Sequence, residues 1–443
     1  MRIETRIAPA FAEPEESSMT EDGLGPQIPM ARLQAYVDSQ PDRQLDVPTY
    51  VYDMDIVRSR IAILRRVLGS DFKISYAIKS NPNQALLDVI AAQTDYLDAS
   101  SFAETVRAAK TGFPAKKVSY SGPGKRRREL AEFIGTGAEL VIESLEEIED
   151  AAEIASAKGV TQRILVRINP DFVPRGFGAS MSGKPSQFGI EESAVPEAIR
   201  LIDRFDSLNL VGLHVYTGSN CLSAQTLVEN FENMARLFLQ FSDNGNRPLE
   251  KLIFGAGFGL PYHAGQEPLD LIALQAPLRD MANALRSKPG LREAELVLEL
   301  GRWIVGPAGA LLTTVLSVKE SRGQQIVVCD AGFNNHLAAC GMMGSVFRKD
   351  WPIVPLAQGG EQTVASVKIT GPLCTSIDSI AGPLEMPLPK RGDIFAILLS
   401  GAYGLTASPT RFISHPDPAE ILFADGCFKD CTESHHNRVL PRG

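Results

Sequence analysis

The stretch "SYAIKSNPNQALL", residues 75–87, holds a strand end, a lysine and a helix start, and the fold can be read outward from it. The apolar run that ends at residue 77 is typical of a β-strand, and Lys79 follows it directly. A polar Ser-Asn-Pro-Asn segment then leads into the apolar start of a helix. Lys79 is either a solvated surface cation or an amine that takes part in chemistry, and the other strand ends distinguish these readings.

Similar apolar, β-branched runs recur along the chain, with helical segments between them. The runs cover residues 74–77, 96–98, 118–120, 139–142, 164–168, 211–215, 252–254 and 296–299. The clearest helical segments are "FAETVRAAKTG" (102–112) and "SLEEIEDAAEIASAKG" (144–159), and each closes on glycine. Short apolar strands that alternate with helices predict a (β/α)8 TIM barrel with parallel strands.

The pattern changes after residue 305. The runs "LLTTVLSVKES", "QQIVVCDAG", "QTVASVKITGP" and "DIFAILLSGAYG" have no long helices between them and predict a mostly antiparallel β domain, a sandwich or a barrel. We therefore expect an N-terminal lead over residues 1–45, partly mobile but with a short helix near residues 30–39. A barrel over 46–305, a β domain over 306–425 and a tail over 426–443 complete the expected organisation.

Composition excludes several classes of protein. A chain of 443 residues is too long for one ordinary core, so two domains are expected. The net charge of −9 argues against a nucleic-acid partner. No apolar stretch reaches the ~20 residues that span a bilayer. The six cysteines show no metal or disulfide spacing, which indicates a reducing cytoplasm and no metal site.

Catalytic groups of a TIM barrel lie at the carboxyl ends of its strands, and here those ends carry polar or glycine-rich residues. They are Lys79, Asp98, Arg167, His214, Tyr216, Ser219, Gly255, Ala256, Gly257, Glu299, Gly301 and Arg302. Glycine-rich turns and arginine bind phosphate, a desolvated lysine is a nucleophile, and a carboxylate can face a ring nitrogen. This combination is what pyridoxal 5'-phosphate requires.

The motifs that contain these residues resemble the fold-type III pyridoxal-phosphate decarboxylases, which include ornithine, arginine and diaminopimelate decarboxylases. The resemblance runs from about residue 48 to residue 423 and includes "YAIKSN", "LDASSFAE", "GAGFG" and "ELGR". It implies that Lys79 carries the cofactor, that Glu299 faces its pyridine nitrogen and that Arg302 binds its phosphate. Asp98 and Arg167 match positions that are either cofactor contacts or structural parts of the barrel mouth.

The β domain extends the resemblance. "CDAGFNNH" is similar to the segment with a substrate-facing aspartate, here Asp330, and "GPLCTSID" to the segment with the catalytic cysteine, here Cys374. "GAYG" supplies Tyr403 for the phosphate, and Asp378 and Phe412 match substrate-pocket positions. In the family the active site lies between two subunits, so the resemblance implies a homodimer in which Cys374 protonates the α-carbon.

The sequence departs from the family pattern at three places. Tyr216 stands where the family has a histidine that stacks on the cofactor, and His214, two residues earlier, is expected to contact substrate. Thr375 stands where a glutamate or aspartate binds the far ammonium group, and "NNHLAACGMMGSVFRKDWP" replaces the segment with the arginine for a distal carboxylate. These segments resemble a natural-product and exopolysaccharide subgroup, some of which, like the butirosin-pathway decarboxylase, act on carrier-bound aminoacyl groups.

The prediction is therefore α-decarboxylation of an amino acid or aminoacyl group in a biosynthetic pathway. Alternatives are a racemase on the same barrel, a diaminopimelate- or ornithine-type decarboxylase of a free amino acid, a non-catalytic regulator and a single-barrel cofactor carrier. Glu299 and the Cys374 motif argue against a racemase, the intact cofactor residues against a regulator, and the β domain against a carrier. The alternative interpretation of Glu299 and Arg302 is a structural ion pair. The alternative for Cys374 is a buried cysteine without a catalytic role.

Overall fold

The computed structural model describes residues 25–242, 248–342, 350–356 and 363–433. The expected mobile lead before residue 25 and the end of the expected tail, from residue 434, lie outside these ranges. The strands, in chain order, are β1 Thr49–Asp53, β2 Phe72–Ala77, β3 Tyr96–Ala99, β4 Val118–Tyr120, β5 Glu139–Ile142, β6 Gln162–Asn169, β7 Ala179–Ser180, β8 Ile190–Glu191, β9 Leu208–Val215, β10 Gly218–Ser219, β11 Lys251–Gly255, β12 Glu295–Leu300, β13 Gly309–Ser321, β14 Gln324–Cys329, β15 Ile353–Leu356, β16 Val364–Thr370, β17 Ser379–Pro387, β18 Ile394–Ile397, β19 Ala419–Ala424 and β20 Cys427–Asp430.

The α-helices lie mostly between the strands of the first half of the chain. They are α1 Met30–Asp38, α2 Met54–Leu68, α3 Gln84–Ala91, α4 Phe102–Lys110, α5 Arg127–Phe133, α6 Leu145–Lys158, α7 Val195–Ile202, α8 Ala224–Phe241, α9 Ile272–Arg286 and α10 Arg302–Val305. Local sequence sets their ends: the Ser144 hydroxyl accepts a hydrogen bond from the backbone N–H of Glu147 at the start of α6, and Gly159 ends the helix at a left-handed φ of 66°.

Eight parallel strands close into a barrel, in the order β5-β4-β3-β2-β12-β11-β9-β6, with β5 paired to β6. Each contains one of the predicted apolar runs, so the expected (β/α)8 barrel is confirmed. Inward-facing residues of the strands fill the barrel and form a separate apolar cluster, namely Tyr96, Val141, Leu165, Val211, Ile253 and Val297. All eight carboxyl ends therefore meet at one mouth.

The second sheet is mostly antiparallel, as predicted, and runs β17-β16-β14-β13-β1-β19-β20, with β18 joining β13 to β15. The expected domain boundaries differ from the observed sheets at two strands, β1 and β20. Strand β1, placed in the barrel segment by the sequence pattern, pairs with β13 and β19 and so belongs to the β domain. Strand β20, placed in the tail, completes a hairpin with β19. Local apolar patterning cannot show which sheet a strand joins, because the partners are distant in sequence.

The Ser-Asn-Pro-Asn segment after Lys79 joins the two domains. Its backbone and amide groups make three hydrogen bonds to the β domain: Tyr403 N–H to Ser80 O (2.8 Å), Asn81 Nδ2 to Gly401 O (3.0 Å) and Asn83 Nδ2 to Cys431 O (3.0 Å). The polar residues of this segment are thus used to dock the β domain on the barrel mouth. No helix in the described part of the chain is long and apolar enough to cross a membrane.

Candidate active site

Lys79 lies in the barrel mouth, in the helical turn Ile78–Ser80 directly after β2. Its Nζ is 3.7 Å from Oε1 of Glu299, 4.0 Å from Oδ2 of Asp98 and 5.2 Å from the centre of the Tyr216 ring. Burial alone would lower the pKa of the amine, but the carboxylates of Glu299 and Asp98 outweigh burial and raise it. The exposed part of the side chain lines a cavity that Ser219, Arg302 and Tyr403 also line, so Lys79 is not a solvated surface cation.

Two acids on neighbouring elements flank the amine. Asp98, at the end of β3, accepts hydrogen bonds from the hydroxyls of Ser119 (2.9 Å) and Ser121 (3.1 Å) on the β4 side. Glu299, on β12, has its Oε2 3.2 Å from Nε2 of His214 and its Oε1 3.7 Å from Nζ of Lys79. Both acids are fully buried, at 1% exposure each.

The pKa values of Glu299 and Asp98 are shifted in opposite directions because the two acids have different neighbours. Burial raises the pKa of any carboxyl, but Lys79 and His214 outweigh it at Glu299 and hold the pKa of that acid well below its ordinary value. At Asp98 burial and the charge of Glu299 together raise the pKa. Burial lowers the pKa of His214, which is therefore a neutral imidazole at pH 7. Glu299 is thus the firmly ionised acid of the pair.

Arg302 lines the same cavity as Lys79 and begins α10. Its Nη1 donates to the Tyr262 hydroxyl (2.9 Å), its Nε lies 3.5 Å from the Ser219 hydroxyl, and its guanidinium carbon is 4.6 Å from the centre of the Tyr403 ring. Among the described residues no carboxylate oxygen lies within 4.0 Å of this cation. An arginine held in a mouth by hydroxyls alone is positioned for an anion.

The predicted glycine loop follows β11. A Cβ at Gly255 would lie 2.3 Å from the ring of Tyr216, so only glycine lets this ring lie across the mouth. Gly257 has a left-handed φ of +66°. The backbone N–H of Ala256 donates to the carbonyl of Glu299 (2.9 Å), and so fixes the position of that acid rather than facing the mouth.

Most of the predicted cofactor residues share two adjoining cavities. The larger, of about 310 Å³, is lined by Lys79, Gly178, Ala179, Met181, Ser219, Asn220, Tyr262, His263, Arg302, Ala338, Gly341, Trp351 and Tyr403. The smaller is lined by Ala77, Tyr216, Ser219, Gly257, Phe258, Leu300, Gly301, Arg302 and Tyr403. Ser219, Arg302 and Tyr403 belong to both, so the two cavities form one site.

Neither Arg167 nor His214 lines the two cavities described above. The guanidinium Nη1 of Arg167 lies 3.1 Å from both oxygens of Glu143, which also accept the backbone N–H groups of Gly122 (2.6 Å) and Gly189 (3.1 Å). Its carbon is 6.0 Å from the ring of Tyr216. The pairing of Arg167 with Glu143 is the kind of contact expected if Arg167 is a structural part of the barrel mouth.

His214, expected from the sequence to contact substrate, is 2% exposed and lies against Glu299. Alternation along β9 explains this position, because His214 and Tyr216 share one face and Tyr216 is the one nearer the opening.

Sequence patterns did not single out Tyr262 and Trp351. Tyr262 binds Arg302 and stacks on Trp351, with ring centres 4.2 Å apart and planes inclined by 25°. Trp351 also meets the edge of His336 at 4.6 Å. These aromatic residues come from both domains and form one wall of the cavity, a juxtaposition that no local pattern signals.

Two predicted aspartates of the β domain hold loops in place. One oxygen of Asp330 accepts from the Thr313 hydroxyl (2.7 Å) and the Thr314 N–H (2.8 Å). The oxygens of Asp378 accept from the N–H groups of Phe333 (2.9 Å) and Leu373 (2.8 Å). Neither lines the cavity that contains Lys79.

The other predicted residues of the β domain lie on its surface. Cys374 is an exposed free thiol, Thr375 beside it is half-buried, and Phe412 is 41% exposed. None of them lines the Lys79 cavity of its own chain. The structure therefore separates the predicted catalytic cysteine from the predicted catalytic lysine within one chain.

The described residues fit pyridoxal phosphate on three independent points. Arg302 and Ser219 present donors without a bound carboxylate, as a phosphate requires. Glu299 is ionised and its oxygens have no well-directed hydrogen bond, as an acid awaiting a pyridinium N–H would be. Lys79 supplies the amine within reach of both, and the flat Tyr216 ring offers a stacking face.

Comparisons with known proteins agree with this geometry. The family model for the pyridoxal-dependent decarboxylase, pyridoxal binding domain, matches residues 54–306. The chain is 30% identical to the L-glutamyl-(BtrI acyl-carrier protein) decarboxylase of Niallia circulans, over 87% of this chain and 91% of the relative. It is 29% identical to the diaminopimelate decarboxylase of Aquifex aeolicus, over 86% and 88%. The fold matches diaminopimelate decarboxylase of Helicobacter pylori with a TM-score of 0.79 at 24% identity, over 90% and 95% of the chains.

Proposed function

The chain belongs to the pyridoxal-dependent decarboxylase family and is a carboxy-lyase, and from this premise we propose that it removes the α-carboxyl group of an amino acid or aminoacyl group within a biosynthetic pathway. The observation that carries the proposal is the Lys79 amine, 3.7 Å from the ionised Glu299, in one cavity with an Arg302 cation that lacks a carboxylate. We further propose a cytoplasmic location, because all six cysteines are free thiols.

The residues take complementary roles. Lys79 would carry the cofactor, Arg302 and Ser219 would bind its phosphate, and Tyr216 would provide a face for its ring. Glu299 would keep the ring nitrogen protonated, and His214 and the Ala256 N–H hold Glu299 in place. Pyridoxal phosphate, when bound, accepts the electron pair that is left when the carboxyl group departs. A firmly ionised acid at the ring nitrogen strengthens this electron sink, which supports decarboxylation over racemisation.

A homodimer is the second part of the proposal. Cys374 and Phe412 are exposed and lie outside the Lys79 cavity, and Ile377 (56% exposed) and Ile413 (45%) add apolar surface near them in sequence. Exposed large apolar residues of this kind mark interaction surfaces. We propose that this surface meets a second copy of the chain and brings Cys374 of one protomer to the Lys79 site of its partner, where the thiol protonates the α-carbon.

Mixing two inactive variants tests the shared site. Lys79→Ala and Cys374→Ala homodimers should each be impaired, whereas a mixture that exchanges subunits should regain about a quarter of wild-type activity, because half of its dimers contain one intact site. Cys427→Ala, another exposed thiol, is the control and should leave activity unchanged. A mixture no more active than its parents would contradict a site built from both protomers.

The decarboxylation itself is tested by release of CO₂ from the protein reconstituted with pyridoxal phosphate. The substrates should include free amino acids and aminoacyl groups on a carrier, since the relatives named above include a carrier-protein glutamyl enzyme and a diaminopimelate enzyme. Racemised amino acid without CO₂ would contradict the proposal.

A further inference from the structure

The hydroxyl of Tyr262 has a partner for its oxygen but not for its hydrogen. Nη1 of Arg302 donates to the oxygen (2.9 Å), and no acceptor for the Tyr262 proton lies within hydrogen-bond distance among the described residues. Burial raises the pKa of Tyr262 by more than the cation of Arg302 lowers it, so the phenol keeps its proton at pH 7. The side chain lines the cavity of Lys79, and its proton is therefore available to a ligand there.

The ring of Tyr262 is held by packing and not by this one hydrogen bond alone. It is 4% exposed and stacks on Trp351, with ring centres 4.2 Å apart. The next residue, His263, has its Nδ1 3.1 Å from the carbonyl oxygen of Asp350, the residue before Trp351. Two consecutive residues of a barrel loop thus meet two consecutive residues of the β domain. The position of the Tyr262 hydroxyl is therefore fixed before a ligand binds.

The segment that carries Tyr262 is also tied to the segment that carries Ser219. The backbone N–H of Cys221 donates to the carbonyl of Gly257 (2.9 Å), and the N–H of Gly259 donates to the carbonyl of Cys221 (2.9 Å). These bonds limit how far the Tyr262 and Ser219 hydroxyls can move apart. Since both residues line the same cavity, they form a preorganised pair of donors.

Arg302 is the cation of this group of donors. Its Nη1 contacts the Tyr262 hydroxyl, and its Nε lies 3.5 Å from the Ser219 hydroxyl. A guanidinium has five N–H donors, so donors remain after both contacts. Three side chains can thus donate at one place, where no carboxylate oxygen lies within 4.0 Å of the cation among the described residues. A phosphate monoester offers three terminal oxygens to such a set, whereas a carboxylate offers two.

A tyrosine in this position either contacts the phosphate itself or only positions Arg302. A tyrosine that only positions the arginine would accept its hydrogen bond and would donate its own proton within the protein. Tyr262 accepts from Arg302 but has no acceptor for its proton among the described residues, and its ring is placed by Trp351. Both observations favour direct contact between Tyr262 and the phosphate.

We propose that the Tyr262 hydroxyl is a ligand of the cofactor phosphate and donates its proton to a phosphate oxygen, beside Arg302 and Ser219. The inference deepens the proposed function and rests on it. Its consequence is selectivity, because Tyr262 makes the site prefer the phosphorylated cofactor to free pyridoxal. The hydroxyl is carried by the ring that stacks on Trp351, so both domains contribute to holding the phosphate.

The first test measures the dissociation constants of pyridoxal phosphate and of pyridoxal for the full-length protein after its cofactor has been removed. Both compounds present the same aldehyde to Lys79, so the ratio of the two constants isolates the preference for phosphate. Tyr262→Phe keeps the ring on Trp351 and should lower this preference at least about tenfold, as expected for the loss of a hydrogen bond to a charged group. Tyr52→Phe, which removes a buried hydroxyl outside the cavity, is the control and should change it less than about twofold.

The outcomes separate this inference from the proposed function. An unchanged preference in Tyr262→Phe, with Tm as the check on folding, would overturn the inference and leave the proposed decarboxylation intact. Equal weakening of both compounds would also overturn it, because a general disturbance of the cavity does not distinguish them. A wild-type protein that binds neither compound would count against the proposed function itself and against the inference with it.

The second test asks whether Tyr262 acts without Arg302. Arg302→Gln removes the cation and should itself lower the preference for phosphate. Tyr262→Phe in this background should lower the preference by a further factor of about five or more, because the ring is still placed by Trp351 and its proton is still available. If the effect of Tyr262→Phe disappears without Arg302, the tyrosine acts only through the guanidinium, and the proposed direct contact is overturned.

Inorganic phosphate supplies a readout that involves neither Lys79 nor turnover. Phosphate should raise the Tm of the cofactor-free wild type and of Tyr52→Phe, because a ligand that binds only the folded chain stabilises it. The concentration that gives half of this shift should be at least about tenfold higher in Tyr262→Phe. Equal concentrations in the wild type and Tyr262→Phe would overturn the inference, as would a wild type that phosphate does not stabilise.

Discussion

The two ends of the barrel each contain a buried cluster of charged side chains, but the clusters are satisfied in different ways. At the amino ends of the strands, Glu139 (1% exposed) is bound by Lys251 and by Nη2 of Arg163 (2.8 Å), and the Lys251 ammonium lies 3.9 Å from the centre of the Tyr96 ring. Every charge of this bottom cluster has a partner within the chain.

The cluster at the carboxyl ends is left incomplete. Glu299 lacks a well-directed hydrogen bond, and Arg302 has no carboxylate within 4.0 Å among the described residues. Buried charge is costly unless it is paired, so a protein keeps an incomplete cluster only where something else completes it. We therefore infer that the bottom cluster stabilises the barrel, whereas the cluster at the mouth binds a ligand.

The largest expected effect is at Lys79. Lys79→Ala should abolish the visible absorbance of the bound cofactor and lower kcat/KM by at least about 10⁴-fold, because the amine that carries the cofactor is lost. Absorbance spectra and CO₂ release measure this, with Tm as a check on folding. A variant that keeps the absorbance band would remove Lys79 from its role.

The comparison also shows what the sequence could and could not predict. The eight barrel strands and Lys79, Glu299 and Arg302 follow from local patterns, because strand ends of a parallel barrel must converge. The placement of β1 in the second sheet and the stacking of Tyr262 on Trp351 depend on pairings distant in sequence, which local patterns do not encode. Roles that rest on a second protomer, such as that of Cys374, stay predictions.

The next effect belongs to the bottom cluster. Lys251→Ala should cost about 3–5 kcal/mol of unfolding free energy, because Glu139 loses a buried partner and a cavity is left. The folded enzyme should keep its kcat, since the change is at the far end of the barrel. Chemical denaturation and CO₂ release give the two numbers, and Lys390→Ala, at an exposed lysine, is the control. A fall in kcat at unchanged stability would break the distinction between the two ends.

Glu299→Gln should lower kcat more than it lowers stability, the reverse of Lys251→Ala. The amide keeps the volume but not the charge, so kcat should fall about 10²–10³-fold, as when a preorganised electrostatic group is removed. The stability loss should be smaller than at Lys251, because Lys79 keeps Asp98 at 4.0 Å. Denaturation of the cofactor-free protein measures this loss. If it equals that of Lys251→Ala, the mouth cluster would be a structural ion pair.

The smallest effect comes from a buried acid outside both clusters, which isolates the cost of an unpaired charge. Glu420, on β19, is 4% exposed, accepts a hydrogen bond from the Tyr52 hydroxyl (3.2 Å), and has no cationic nitrogen within 4.0 Å among the described residues. Burial, with a smaller contribution from Glu433, raises the pKa of Glu420 to about 7.

This raised pKa sets the sign of a pH effect. Between the ordinary value of 4.5 and about 7, the folded chain holds a proton that the unfolded chain has released, so stability should fall as pH rises through this window. The loss should be on the order of 1–3 kcal/mol, and Glu420→Gln should remove it. Denaturation at the two ends of the window measures the slope, with Glu385→Gln, at an exposed glutamate, as the control. Parallel slopes in wild type and Glu420→Gln would mean that a hydrogen bond from Tyr52 suffices to hold a buried charge, and the incomplete mouth cluster would then need no ligand to explain it.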